Sequence, residues 1–356
     1  MVAKKNKSNE ISKKSREELE NCSFIKTILM IIVVIYHCIL FWSGDWFSVT
    51  PKISNNVLPM IAKWLNTFHI SGFTFISGYI YYYIRFEKNG YSNYVIYIKK
   101  KIRRLIVPYI FVAFLWVLPI GNIFFNYSYS DILFKIILGQ SPGQLWFLLM
   151  LFNIFCVFPF LEKIVVKSWV NALIIISIFW GLSIVGKIWD CNYFQIITSF
   201  RFMSYFVVGF KIRQNNEKIH LNIFSVMILC AVQVILFVFL SVFNNRNEIQ
   251  FKIIHIGLDF LVTQLGAIGV FFSLQIVAKK IKKRGKLCLF LQKSSMTIYL
   301  LHQQIIYFSI WFFNGHLNPY IHSVVNFIFA LFVSSLLSYV LLKFKITSFM
   351  LGEKND

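Results

Sequence analysis

The sequence predicts an all-α, polytopic integral membrane protein of about ten transmembrane helices, with both termini on the cytoplasmic side. Of its 356 residues, 58% are hydrophobic and only 14% are charged, which is too little charge to cover a soluble domain of this length. The mean hydropathy is +0.66, and apolar runs long enough to cross a bilayer recur along the whole chain. One membrane domain with short polar tails is therefore expected.

Ten apolar segments account for the predicted spans. Residues 1–23 form a basic cytoplasmic tail, residues 24–342 the ten-helix membrane domain, and residues 343–356 a C-terminal cytoplasmic tail. The first apolar run is long for a signal peptide and lacks a cleavage site of small residues, so we expect it to remain as a span. The ten segments are 24–42, 64–84, 105–120, 144–161, 169–186, 196–211, 221–243, 253–278, 294–313 and 320–342.

The basic residues set the predicted orientation. With the N-terminus inside, the cytoplasmic segments hold all but seven of the 36 Lys and Arg residues, as the positive-inside rule requires. This distribution explains most of the net charge of +22 without a nucleic-acid partner. The cytoplasmic segments are 1–26, 85–104, 162–168, 211–220, 279–293 and 343–356, and the seven exceptions are Lys52, Lys63, Lys135, Lys187, Arg201, Arg246 and Lys252.

The first span carries the pair of residues on which the functional prediction centres, Lys26 and His37. They are eleven residues apart, which is roughly 16 Å along a helix and close to one face of it. Lys26 lies near the cytoplasmic interface, and His37 lies beyond mid-membrane. An imidazole at that depth costs free energy and indicates a functional site. The alternatives are an interfacial histidine and, for Lys26, a simple interfacial anchor.

Other polar side chains interrupt the apolar segments. Arg201 begins the sixth span, on the outer side where basic residues are rare. Asp259 lies within the eighth span, where His255, Lys252 or a cation from another helix should pair with it. A polar cluster in the ninth span is expected to line a cavity. These further residues are His69 and Ser77 in the second span, and Tyr299, His302, Gln303 and Gln304 in the ninth.

The cytoplasmic end of the third span is strongly basic. Lys101 and Arg104 are three residues apart and face one side of a helix, and Arg103 adjoins them. Fixed cations at this position suit a phosphate-rich ligand, and contact with anionic lipid is the alternative. At the outer end of the fourth span, Trp146 fits an aromatic belt.

Neither a metal site nor a disulfide framework is expected. The histidines lack a ligand spacing such as H-E-x-x-H, and no pair of cysteines has the spacing of a zinc site. Most of the cysteines lie in or beside apolar runs, so free thiols are predicted. The six are Cys22, Cys38, Cys156, Cys191, Cys230 and Cys288.

Taken together, these segments resemble the membrane-bound acyltransferase-3 family, and within it the polysaccharide O-acetyltransferases and fucose 4-O-acetylase-like proteins. Six motifs match in order over nearly the whole chain. At positions 26 and 101 this sequence has Lys where the family more often has Arg. Lys keeps the positive charge but lacks the planar, forked guanidinium of Arg. The matches are Lys26 with His37; Phe68, His69, Phe73, Phe75, Ser77, Gly78 and Tyr79; Lys101, Arg104 and Pro108; LWFL at 145–148; Arg201, Tyr205, Phe206 and Gly209; and YLLH at 299–302.

The resemblance implies that an acetyl group moves from cytoplasmic acetyl-CoA, or a related acyl-CoA, to a hydroxyl of an extracytoplasmic polysaccharide or its lipid-linked precursor. The cell membrane of a bacterium is the expected location, polysaccharide-synthesis machinery an expected partner, and no bound cofactor is needed. His37 and Lys26 are the expected catalytic residues: His37 is the general base or acyl carrier, and Lys26 holds CoA or lines its path. The remaining assignments are acyl-CoA binding by Lys101, Arg103 and Arg104, and acceptor contact or support by His69, Ser77, Trp146, Arg201, Tyr299 and His302.

Two other functions fit some of the same features. A transporter or flippase for a glycan or lipid-linked precursor would also use intramembrane His, Arg201 and Asp259, as proton or substrate paths. A structural subunit of a polysaccharide-synthesis complex explains the hydrophobicity but leaves the polar cluster without a role.

Overall fold

The protein is built from helices. The computed structural model describes residues 2–44, 46–125, 128–140, 143–188, 192–219, 221–243, 249–281 and 283–353, and this part of the chain contains no β-strand. Its helices are α1 Val2–Leu40, α2 Val57–Asn66, α3 His69–Tyr82, α4 Tyr94–Phe125, α5 Tyr129–Ile137, α6 Trp146–Val165, α7 Trp169–Ile188, α8 Ile196–Gln214, α9 Ile223–Phe243, α10 Ile249–Lys280, α11 Lys286–Phe313, α12 Pro319–Leu341 and α13 Lys345–Met350.

Seven of the described helices are long and apolar enough to cross a membrane, so the chain is a multi-pass membrane protein. They are α1, α4, α6, α7, α9, α10 and α12. The other three predicted spans coincide with α3, α8 and α11, which carry more polar side chains. The number of ten spans and the cytoplasmic position of the termini stay predictions, as do the domain boundaries at residues 23 and 342.

Helix α1 lies in the centre of the bundle and packs against α3, α10, α11 and α12. Its apolar residues recur at helical spacing and are completely or almost completely buried, as at Met30, Val33 and Val34. This placement turns the face that carries Lys26 and His37 toward the interior of the protein. The helix is continuous from residue 2, so the predicted tail at residues 2–23 is its N-terminal extension.

The second predicted span, 64–84, is broken between α2 and α3. Asn66 ends α2, and Phe68 leaves the helical conformation with φ −136° before α3 begins at His69. Side chains add hydrogen bonds to carbonyls at the end of α2 that also accept from backbone N–H groups. The Thr67 hydroxyl donates to the Trp64 carbonyl at 2.7 Å, and His69 Nδ1 donates to the Leu65 carbonyl at 2.8 Å. The break therefore fixes the ring of His69.

Helices α3 and α8 approach each other at two glycines. A Cβ atom added at Gly78 would lie 2.0 Å from the Phe206 carbonyl oxygen, and one added at Gly209 would lie 2.0 Å from the Phe75 carbonyl oxygen. Only residues without a side chain allow two helical backbones to meet this closely. Both glycines belong to the motifs matched in the sequence, so these motif positions serve helix packing.

Candidate active site

A cavity of about 310 Å³ surrounds His37, and we call it the outer cavity. Its walls include α1, α3, α4, α6 and α11, which bring together residues far apart in the sequence. His69 stacks on Tyr36 at 4.4 Å between ring centroids, and Trp46 packs 5.8 Å from the ring of His37. Among the expected site residues, His37, His69, Trp146 and Tyr299 line this cavity.

His302 lies directly behind His37 and is completely buried. Its Nε2 atom is 3.1 Å from Nδ1 of His37, and its own Nδ1 is 2.7 Å from the Tyr299 carbonyl oxygen. His302 does not line the outer cavity but contacts His37, which does.

The hydrogen bonds define the protonation of both rings. A carbonyl oxygen only accepts, so His302 Nδ1 carries the proton that faces Tyr299, and in the neutral ring Nε2 is an acceptor. His37 Nδ1 then donates to His302 Nε2 and to the Val33 carbonyl, 2.9 Å away, as a bifurcated bond. The remaining nitrogen of His37, Nε2, keeps its lone pair. In this arrangement Nε2 is the nitrogen of His37 that could accept a proton.

Amide side chains form another wall of the outer cavity. Gln144 Nε2 donates to the Leu300 carbonyl at 2.6 Å and to Gln304 Oε1 at 2.9 Å, and the Tyr299 hydroxyl donates to the Gln144 carbonyl at 2.5 Å. Gln303 Nε2 donates to the Tyr307 hydroxyl, whereas its buried Oε1 atom has no hydrogen-bond partner in the described part of the chain. Three members of the predicted polar cluster of α11, Tyr299, Gln303 and Gln304, therefore line the outer cavity, whereas His302 does not.

A second cavity, of about 510 Å³, lies at the predicted cytoplasmic end, and we call it the inner cavity. Lys26, Lys101 and Arg104 line it together, although they come from two helices. The Lys101 ammonium lies 3.7 Å from the ring centroid of Phe155, a cation–π distance. Neither lysine forms a hydrogen bond or close ion pair with another described residue. Tyr299 lines both the inner and the outer cavity, so the two meet at this side chain.

The C-terminal segment covers the basic cluster of α4. Arg104 Nη1 forms an ion pair with Glu353 Oε2 at 2.5 Å and a hydrogen bond with the Gly352 carbonyl at 3.1 Å. Arg103 turns away from the inner cavity, since its guanidinium packs over Phe349 and donates to the Glu353 carbonyl at 3.3 Å. Of the three cations predicted to bind acyl-CoA, Lys101 and Arg104 therefore line the inner cavity and Arg103 does not.

Two further expected site residues lie elsewhere. Ser77 lines the inner cavity rather than the outer one, and its hydroxyl donates to the Phe73 carbonyl at 2.8 Å. Arg201 lines a third cavity and pairs through Nη2 with Asp259 Oδ2 at 2.7 Å. The partner of Asp259 is thus the cation from another helix.

Sequence reasoning missed two residues, Gln144 and Glu353. Gln144 could have been predicted as a site residue, because it immediately precedes the LWFL motif. Glu353 gave no signal, because its contact with Arg104 joins residues nearly 250 positions apart. In the described part of the chain no group of His, Cys, Asp and Glu could hold a metal ion. Cys22, Cys38, Cys156, Cys230 and Cys288 are free thiols there, and Cys191 lies outside the described residues.

The fold and the cavities define a multi-pass helical membrane protein whose polar interior runs from a cationic cavity to a histidine cavity. The family model described as an acyltransferase domain, acyltransferase 3, matches residues 21–343. The chain belongs to this family and is a membrane acyltransferase. No match was found among the curated proteins or among the solved structures.

Proposed function

We propose that the protein is an O-acyltransferase that moves an acetyl group from cytoplasmic acetyl-CoA to a hydroxyl of an extracytoplasmic cell-surface polysaccharide or its lipid-linked precursor. One observation carries the proposal. Tyr299 lines both the cationic inner cavity and the outer cavity that holds His37. This shared side chain supports a path in which a donor bound by its phosphates on one side presents its acyl end to a base on the other.

The inner cavity suits the phosphate groups of CoA. Lys26, Lys101 and Arg104 line it, and no carboxylate is among its lining residues within the described chain. Cations attract phosphate through charge-assisted hydrogen bonds, and Arg adds a bidentate geometry that Lys lacks. From this anchor, the pantetheine arm would extend past Tyr299 and bring the thioester toward His37.

The outer cavity suits activation of a hydroxyl. A sugar hydroxyl is a weak nucleophile at neutral pH and requires a general base. In this mechanism His37 Nε2 takes the hydroxyl proton while the oxygen attacks the thioester carbonyl. The C–S bond then breaks, the ester forms, and the CoA thiolate leaves and is protonated by the imidazolium of His37. His302 Nε2 and the Val33 carbonyl accept from His37 Nδ1–H and stabilise the positive charge in between.

The test is O-acetylation of surface glycan, measured by mass spectrometry in cells that make wild type, His37→Ala or Lys26→Ala at matched protein levels. We expect His37→Ala to remove the acetyl esters and Lys26→Ala to lower them. Acetyl esters that persist at the wild-type level in His37→Ala cells refute the proposal. If the amount of exported glycan collapses while the remaining glycan stays acetylated, the protein is instead a transporter.

A further inference from the structure

A third cavity, of about 730 Å³, lies beside the outer cavity, and we call it the lateral cavity. Asn66, Gly143 and Trp146 line both cavities, so the two are direct neighbours. Both have volumes in the range of roughly 300–1,000 Å³ that is typical of ligand sites. A ligand that extends beyond the outer cavity can therefore continue into the lateral cavity past Trp146.

The walls of the lateral cavity are polar and held in place by hydrogen bonds. Asn192 Nδ2 donates to Gln195 Oε1 at 3.0 Å and to Thr198 Oγ1 at 2.7 Å, and Gln195 Nε2 donates to the Gly139 carbonyl at 2.9 Å. Amides and hydroxyls both donate and accept, which is what the hydroxyls of a sugar require. Polar groups exposed to lipid cost free energy, so a polar wall of this kind is better suited to a polar ligand than to lipid.

Within the described residues, two cations and no carboxylate line the lateral cavity. Arg201 pairs with Asp259, whereas Lys187 is exposed and makes no hydrogen bond or ion pair with another described residue. Both cations are among the seven basic residues outside the predicted cytoplasmic segments. The positive-inside rule therefore does not explain why both cations line the same cavity.

We propose that the lateral cavity is an acceptor subsite for the unit next to the acetylated sugar, and that this unit carries a carboxylate or a phosphate bound by Lys187 and Arg201. The inference rests on the proposed function, which assigns the outer cavity to the reacting hydroxyl. An anion gains charge-assisted hydrogen bonds from both cations. Trp146 lies between the two subsites, where its ring face can pack against the apolar face of a sugar.

The anionic group has two candidate sources, an acidic sugar of the polymer and the phosphate of a lipid-linked precursor. We would isolate the polymer and the lipid-linked fraction from cells that make the protein and locate the acetyl ester in each by mass spectrometry. A carboxylate or phosphate is expected on the unit next to the acetylated sugar. Acetylation in the polymer beside an acidic sugar identifies the first source, and acetylation confined to the lipid-linked fraction identifies the second.

The variants are Lys187→Gln, Lys187→Arg and, as a matched control, Lys63→Gln. Lys63 is another exposed cation of the predicted outer side, and it lines none of the three cavities. Loss of a charge-assisted contact should lower acetylation about tenfold in Lys187→Gln. Lys187→Arg should retain most of it, and Lys63→Gln should behave as wild type. CoA binding by each purified variant should be unchanged.

Two results overturn the inference: acetylation of a neutral glycan, or equal acetylation in the Lys187→Gln and Lys63→Gln variants. In either case acetylation that is lost in His37→Ala still supports the proposed function. Failure of the proposed function has its own signature, namely acetylation that persists without His37.

Discussion

The inner and outer cavities meet at Tyr299 but differ in chemistry. The inner cavity is lined by Lys26, Lys101 and Arg104 and by no imidazole of the described residues, whereas the outer cavity holds His37 and His69 among aromatic and amide side chains. One suits binding of a strongly charged group, and the other suits proton transfer and contact with hydroxyls. Under the proposed function, binding and chemistry are therefore separated along the helix axis, so substitutions in the two cavities should change different measured quantities.

The largest effect is expected in the outer cavity, at His37. His37→Gln keeps a polar side chain of similar size but removes the base, which should lower acetyl transfer by roughly 10²- to 10⁴-fold. Binding of CoA to the purified protein should stay within about twofold, because His37 does not line the inner cavity. Turnover assays and calorimetric titration with CoA check the two halves of this prediction. A parallel loss of CoA binding would show that the cavities are not separate.

His302 should act on the rate through His37. His302→Leu removes the acceptor of the His37 Nδ1 proton and leaves the positive charge formed during transfer with one hydrogen bond fewer. A hydrogen bond to a charged group is worth about 1.5–3 kcal/mol, which corresponds to a 10- to 100-fold lower kcat with little change in KM. His302→Gln, whose amide oxygen can accept a hydrogen bond, should recover part of the rate. If Leu and Gln variants have the same kcat, His302 serves packing alone.

Helix α3 contributes to both cavities, since His69 lines the outer cavity and Ser77 lines the inner cavity. Gly78→Ala places a methyl group against the Phe206 carbonyl of α8, and such overpacking costs about 1–3 kcal/mol or more. The melting temperature of the purified protein should fall. Gly181→Ala in α7 is the control, since nothing lies within 4 Å of its added Cβ, and it should melt at or above the wild-type temperature. Equal shifts in both variants would contradict the close contact between α3 and α8.

The sequence predicted the elements better than it predicted their contacts. A helix must span hydrocarbon with about 20 apolar residues, and nine of the ten predicted segments each lie largely within one described helix, whereas 64–84 is divided between α2 and α3. The sequence did not predict the break at Thr67 and Phe68, because neither residue excludes a helix and the hydrogen bonds to the Trp64 and Leu65 carbonyls follow only from the folded structure. His37 could be predicted as a candidate site residue, because an imidazole within a membrane span costs free energy. The contact of His37 with His302 joins two helices 265 residues apart and follows only from the packing.

In the inner cavity, Lys101 should affect binding rather than rate. Lys101→Gln removes a cation that lines the cavity, and we expect CoA to bind about tenfold more weakly, with a smaller dependence on salt. The neighbouring Lys100 is exposed and does not line the cavity, so Lys100→Gln should bind CoA as wild type does. Titrations of both variants at two salt concentrations check this. Equal weakening in the two would indicate general attraction by the basic segment.

The smallest effect is expected from Glu353, which pairs with Arg104 at the edge of the inner cavity. Glu353→Gln removes a carboxylate that competes with phosphate for Arg104. Because the Arg104 side chain is 43% exposed, the pair contributes at most about 1 kcal/mol, so CoA should bind up to roughly fivefold more tightly. Glu217→Gln, which changes a carboxylate outside the three cavities, is the control for net charge. Loss of an anion that competes with the donor strengthens CoA binding, whereas loss of an anion that positions Arg104 weakens it. Weaker CoA binding in Glu353→Gln alone would therefore mean that the Glu353 carboxylate holds Arg104 in place for the donor.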